Sequence, residues 1–176
     1  MVFLKRKKNI TVKHEEQRVA VLIDVQNMYH SAKNLHKSKV NFEEVLKTAI
    51  SDRKLIRAIA YGIETEGKEE RGFFEALRNM GIEVKMKDLQ IFPGGFKKGD
   101  WDVGIAVDAI KFSEYLDAVV LITGDGDFIP LVEYIKNAKP TRVEIVAFGR
   151  SCSGQLKQIA DDFIDLEQNT KKYLIK

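Results

Sequence analysis

Three aspartates stand where apolar chain gives way to a turn. Val19-Ala-Val-Leu-Ile23 runs directly into Asp24, and Ala118 to Ile122 runs through Thr123 and Gly124 into Asp125, with Asp127 two residues on. If the two runs are neighbouring strands, their acids converge at one end of a sheet. Crowded carboxylates repel one another and cannot all stay ionised at neutral pH without a cation or donors between them. A divalent ion resolves that conflict. The donors on offer are hard oxygens, which favour Mg²⁺ or Mn²⁺ over zinc. Cys152 is the single cysteine, so a thiolate cluster is excluded, and His14, His30 and His36 are scattered near the beginning without a paired spacing. Gly124 and Gly126 flank Asp125 and would let the chain turn sharply there. The competing explanation for Asp127 is that it caps the helix that follows, which accounts for one acid but not for three at strand ends.

Further residues belong to the same question. Asn27 follows Asp24 by about one helical turn, suited either to steadying Asp24 or to an ordinary polar position. Asp102 follows Lys97-Lys98-Gly99 and opens a helix, where an acid also suits the helix dipole and capping. Asp108 lies six residues later, about 120° around an ideal helix, so it does not share a face with Asp102 and is expected to support the site indirectly or to make a structural hydrogen bond. Lys97 and Lys98 are candidates for a phosphate backbone, or are solvated loop lysines. Phe92, Phe96 and Trp101 are candidates for stacking on unpaired bases, with core packing as the competitor for Trp101.

The elements that must position these groups read as alternating strand and helix. Val19–Ile23 and Asp117–Thr123 are unbroken apolar strands, the pattern of strands covered on both faces. Helices are predicted over 24–35, over a segment capped by Asn41 and carrying Phe42, Val45, Leu46 and Ala49, and over 69–80 ending at Gly81. Strands are predicted over 55–63, 82–86 and 142–148. Residues 102–115 form a helix with Val103, Ala106, Val107 and Ile110 on one face, and 128–137 another with Pro130 in its first turn. Pro93-Gly94-Gly95 makes 87–99 a mobile loop, 155–160 is a helical turn, and 163–166 an added short edge strand. Such alternation implies right-handed crossovers and an α/β three-layer sandwich on a mainly parallel sheet of about five strands. In such sheets ligands bind beyond the carboxyl ends of the strands, where strand order reverses.

Composition is consistent with this. At 176 residues and 44% hydrophobic, one domain can bury a core without disulfides. No apolar run approaches the roughly 20 residues that cross a bilayer, and the first residues do not read as a secretory signal, so no membrane association and a cytoplasmic location are expected. Residues 1–18 hold six basic against two acidic residues, a surplus of +4 in a chain of net charge +3, leaving −1 for the rest. Residues 1–17 are read as a flexible basic tail that is either solvated or holds nucleic acid loosely, 18–168 as the domain, and 169–176 as a C-terminal tail. A Gly-x-Ser-x-Gly elbow, a phosphate loop and a dinucleotide fingerprint are all absent from the sequence.

Taken together, Val-Leu-Ile-Asp24-Val-Gln-Asn27, Lys98-Gly-Asp100-Trp-Asp102-Val with Asp108 downstream, and Thr123-Gly-Asp125-Gly-Asp127-Phe resemble the NYN domains, relatives of the PIN-domain nucleases that include LabA-like proteins. The likeness covers about 18–168. It implies a PIN-like fold, a Mg²⁺ or Mn²⁺ requirement and RNA cleavage, with Asp24, Asp102, Asp125 and Asp127 as acidic site residues. Asn27, Asp108 and Thr123 match the pattern in support, and Asp100 is an additional acid of unassigned role. It also implies pairing as a homodimer, by analogy with PIN-like domains. The expected activity is metal-assisted hydrolysis of single-stranded RNA by an endonuclease, leaving 5′-phosphate and 3′-hydroxyl ends. A catalytically weak regulatory or RNA-binding module and a small-molecule phosphatase are the alternatives.

Overall fold

The computed structural model describes residues 13–64, 68–95 and 97–176, and of Lys68, Lys97 and Lys98 the backbone alone. Its centre is β1 (Arg18–Asp24), whose five residues 19–23 are fully buried because helices cover both faces. Asp24 ends the strand and caps α1 (Val25–His36), which closes on Lys37 at a φ of 52°. The short β2 (Lys39–Val40) leads to α2 (Phe42–Ile50), capped by the Asn41 side chain on the Glu44 N–H at 3.3 Å. Then come β3 (Lys54–Glu64), α3 (Lys68–Asn79) and β4 (Glu83–Asp88), with Gly81 at a φ of +83° terminating the helix. Two small strands follow, β5 (Gln90–Ile91) and β6 (Lys97–Lys98). After α4 (Asp102–Ser113) the chain forms β7 (Ala118–Ile122), a 3₁₀ turn over Gly126–Phe128 and α5 (Ile129–Ala138). The end comprises β8 (Arg142–Ala147), α6 (Gly154–Ile159), β9 (Asp162–Asp165), α7 (Thr170–Tyr173) and β10 (Leu174–Ile175).

The main sheet has six parallel strands in the order β4-β3-β1-β7-β8-β9. It is one strand wider than the expected five, because β9 pairs fully with β8. From β1 the chain winds outward through β3 to β4, and from β7 outward through β8 to β9. The reversal therefore falls between β1 and β7, which pair in register from Val19↔Ala118 to Ile23↔Ile122. In sheets of this kind that boundary, beyond Asp24 and Ile122, is where a ligand crevice belongs. Side-chain alternation splits the core in two: Val21 and Ile23 pack with α1, α2 and α3, and Ala20 and Leu22 with α4, α5 and α6. Glu144 of β8 forms with Arg53 a fully buried two-pronged ion pair at 2.9 and 2.8 Å, and Lys13 reaches Glu144 at 3.3 Å. Among the described residues no helix is long and apolar enough to cross a membrane.

Several expectations change. Strand β4 runs two residues beyond Met86, and the segment expected as a loop over 87–99 carries an antiparallel hairpin in which Gln90 pairs with Lys98 and Ile91 with Lys97. Its turn uses positive φ at Gly94 and Gly95, which only glycine adopts freely. The apolar stripe expected on α4 splits: Val103 is 75% and Val107 45% exposed, Ala106 and Ile110 are half-buried against the core, and Ile105, Ala109 and Phe112 enter it. Residues 170–175, expected as a tail, form α7 and β10, with Tyr173 buried and Leu174 paired to Val40. Most of the basic stretch, residues 1–12, lies outside the described residues.

Candidate metal centre

Asp24 points to the same face of the sheet as Ala20 and Leu22, under the start of α4. One of its oxygens accepts the Asn27 N–H at 3.1 Å and the other the Thr123 hydroxyl at 3.1 Å. Thr123, the first residue after β7, also accepts the Asp125 N–H at 3.2 Å, so one hydroxyl joins the two strand ends. The Asn27 side chain accepts the Gly124 N–H at 2.9 Å and pins the opposite loop to α1. Burial pushes the Asp24 carboxyl above the usual carboxylate range; the two hydrogen bonds oppose this, and the charges of Asp125 and Asp100 add to it.

Asp125, not Asp127, is the capping residue here: its side chain accepts the Asp127 N–H at 2.9 Å at the start of the 3₁₀ turn. The helix-cap explanation for Asp127 is thereby removed, because the cap of α5 is Phe128, which makes no side-chain capping bond. The glycines on either side of Asp125 act by size rather than by unusual dihedrals. A Cβ on Gly124 would stand 2.9 Å from the Cys152 Cα, and one on Gly126 3.2 Å from the Ser153 hydroxyl. Their absence lets the acidic loop lie against 151–153, where the Ser153 N–H binds the Gly124 carbonyl at 2.9 Å.

The trio that closes is not the one the strand ends suggest. Asp102, the first residue of α4, comes down over the crevice so that oxygens of Asp102, Asp125 and Asp127 all lie within 4.8 Å of one another. Asp24 borders this trio, its carboxylate held by the cap and by Thr123. The Asp102 carboxyl is pushed up to about 6, first by burial and then by the charges of Asp100, Asp125, Asp24 and Asp127. Three oxygen donors at this separation with unbalanced negative charge fit a hard divalent cation, which would sit among them and remove the repulsion.

The remaining candidates divide. Asp108 is buried away from the trio, where it accepts Tyr61 Oη at 2.6 Å and Lys85 Nζ at 2.5 Å. Burial alone would raise its carboxyl; the Lys85 and Tyr61 hydrogen bonds outweigh that and hold it below the usual range. Burial and the bond to Asp108 push the Tyr61 hydroxyl strongly up. Trp101 is half-buried, with its Nε1–H donated to the Gly62 carbonyl at 2.8 Å and its ring centroid 5.3 Å from that of Tyr61. Packing therefore engages the ring that was also a candidate for stacking on a base. Phe92 is 43% exposed beside the hairpin turn. Phe96 and the side chains of Lys97 and Lys98 lie outside the described residues. Tyr61, Gly62, Lys85 and Lys87 were not singled out from sequence. The one available signal was that a strand crossing beside β1 must set some residue opposite Asp24, and the register Asp24↔Tyr61 fills that place.

Comparison with known proteins places the chain in a family. The NYN domain profile matches residues 18–167. The low amplitude and bright protein LabA of Synechococcus elongatus is 29% identical over 159 residues, covering 85% of this chain and 83% of the relative. An uncharacterized protein of Methanocaldococcus jannaschii is 29% identical over 153 residues and 86% of this chain, which spans only 56% of that relative's length. A crystal structure of a protein of unknown function from Vibrio parahaemolyticus superposes with a TM-score of 0.84 at 32% identity, over 94% of this chain and all of the other. With the profile matched from the first residue of β1 to the turn after β9, and with the same fold in that crystal structure, the chain belongs to the NYN domain family, a PIN-like nuclease-type family.

Proposed function

We propose that the chain is a divalent-metal-dependent ribonuclease, an endonuclease that cuts single-stranded RNA in the cytoplasm and leaves 5′-phosphate and 3′-hydroxyl ends. The observation that carries the reading is the approach of Asp102, Asp125 and Asp127 to within 4.8 Å, with Asp102 already pushed up to about 6 by burial and by its acidic neighbours. These three would hold Mg²⁺ or Mn²⁺, with Asp24 beside them. When bound, the ion supplies Lewis-acid stabilisation of charge on a phosphodiester and lowers the pKa of water. The chain's own part is to hold the donors still. Thr123 and Asn27 tie the β1 and β7 ends together, the Asp125 cap fixes the turn, and the start of α4 presents Asp102 from above. Above about pH 6 the Asp102 carboxyl gives up its proton and becomes a full donor. Lys97 and Lys98, five and four residues before Asp102, are suited by charge to the RNA backbone, and Phe92 to a base.

The test is cleavage of an unstructured RNA by purified protein with MgCl₂ or MnCl₂, with EDTA, and by a folded Asp125→Asn variant. The reading requires cleavage that depends on metal and falls at least 100-fold in the variant. Undiminished cleavage by the variant rules it out. Metal uptake with RNA binding but no turnover assigns the regulatory alternative instead, and hydrolysis of a phosphomonoester but not RNA assigns the phosphatase.

A further inference from the structure

We propose that Trp101 is the positioning residue of the centre: its indole, hydrogen-bonded to Gly62 and wedged between Tyr61 and Gly104, fixes the first residue of α4 and so sets where the Asp102 carboxylate stands. The inference rests on the metal reading above and deepens it. Asp24 and Asp125 are each held by hydrogen bonds to their own side chains, whereas among the described residues no side-chain hydrogen bond holds Asp102. Its place follows from the backbone alone. That backbone begins with Trp101, whose own cap position makes no side-chain capping bond, so the helix start must be fastened in another way.

The fastening is a four-sided seat. Trp101 Nε1–H is donated to the Gly62 carbonyl at 2.8 Å, on β3, where Gly62 pairs with Met86 of β4 and Phe74 fills the space where a Gly62 side chain would be. The Tyr61 ring, 5.3 Å away, is itself fixed by Asp108, about two turns further along α4. Lys87 Nζ stands 4.9 Å over the indole and donates to the Asp100 carbonyl at 2.9 Å, binding the residue before Trp101 to β4. The fourth side is Gly104, where a Cβ would come within 2.5 Å of the ring. Asp108 thus reaches the centre through Tyr61 and Trp101 rather than by touching it. Outer contacts of this kind tune a metal site through the orientation of its donors.

The experiment is calorimetric titration of metal-free protein with MnCl₂, a readout independent of turnover. Trp101→Phe keeps a ring and deletes the bond to Gly62; Gly104→Ala keeps the indole and crowds it, in a helix that alanine otherwise favours. Tyr173→Phe, which loses a hydrogen bond to Thr48 in the opposite layer, is the control for a merely structural change. The expected result is a Kd for manganese weakened about 10-fold in Trp101→Phe and Gly104→Ala and unchanged in Tyr173→Phe. Wild-type affinity in both folded site variants overturns the positioning role alone. A wild-type chain that takes up no manganese overturns the metal reading and this inference with it. Loss of folding in one of the two variants leaves the other to decide.

Discussion

Replacing Asp102 by Asn should make the metal-free protein more stable and the metal-loaded protein less so. In the fold the Asp102 carboxyl rises to about 6. A shift of about two units is worth about 3 kcal/mol for a group shielded from water. Asp102 is only half-buried, and screening cuts this to about 1 kcal/mol. The negative charge is also favourable at the first position of α4 by about 0.5 kcal/mol, so the net gain from Asn is roughly 0.5 kcal/mol, or about 1–2 °C in Tm for a chain of this size. The sign follows from linkage. An acid raised in the fold binds its proton more tightly there than in the unfolded chain, so its penalty is absent below about pH 4 and complete above about pH 6. The variant's advantage should therefore be present at pH 7.5 in EDTA and vanish as the pH falls through that window. With magnesium at about 100 times its Kd, the wild type gains about 2.7 kcal/mol, and the variant, lacking one donor, gains far less. Thermal melts of both proteins with EDTA and with MgCl₂ should cross in order. A variant that melts below wild type in EDTA, or magnesium raising both equally, refutes the account of Asp102 as a repelled donor.

Two other changes separate the centre from its scaffold. Thr123→Val removes the hydroxyl that donates to Asp24 and accepts from Asp125, which lifts the Asp24 carboxyl further. Manganese affinity should then fall more at pH 6 than at pH 8, measured by calorimetry at both. Arg53→Ala leaves Glu144 buried without its two-pronged partner and should cost about 3–5 kcal/mol in urea unfolding, while the manganese Kd of the folded fraction stays that of wild type.

The convergence of the acids was legible because the two most apolar runs are the two central strands, and a strand buried on both faces has no alternative place in such a sheet. The helix α4 was harder to read. Its sequence is apolar on two sides, and the side that packs includes Asp108, which a pattern rule assigns to water. The partners that allow its burial, Tyr61 and Lys85, come from strands 47 and 23 residues away, and no local spacing announces them. The same limit applies to Asp102, whose approach to Asp125 depends on how α4 docks. It applies also to the two-residue pairs of β2 with β10 and β5 with β6, which are too short to carry an alternation. Gly124 and Gly126 were legible as special but for a different reason than the one found, close approach rather than an unusual turn.

The hydroxyl bridge between Thr123 and Asp24 spans 99 positions of sequence. A chain emerging from the ribosome can complete β1 and the α/β units that follow it, yet it owns no centre until β7 and the turn after it have been translated and have docked beside β1. Contacts of such long range form late, after loop closure has been met. Whatever the assembled centre does is therefore withheld from unfinished chains until most of the sequence has been made.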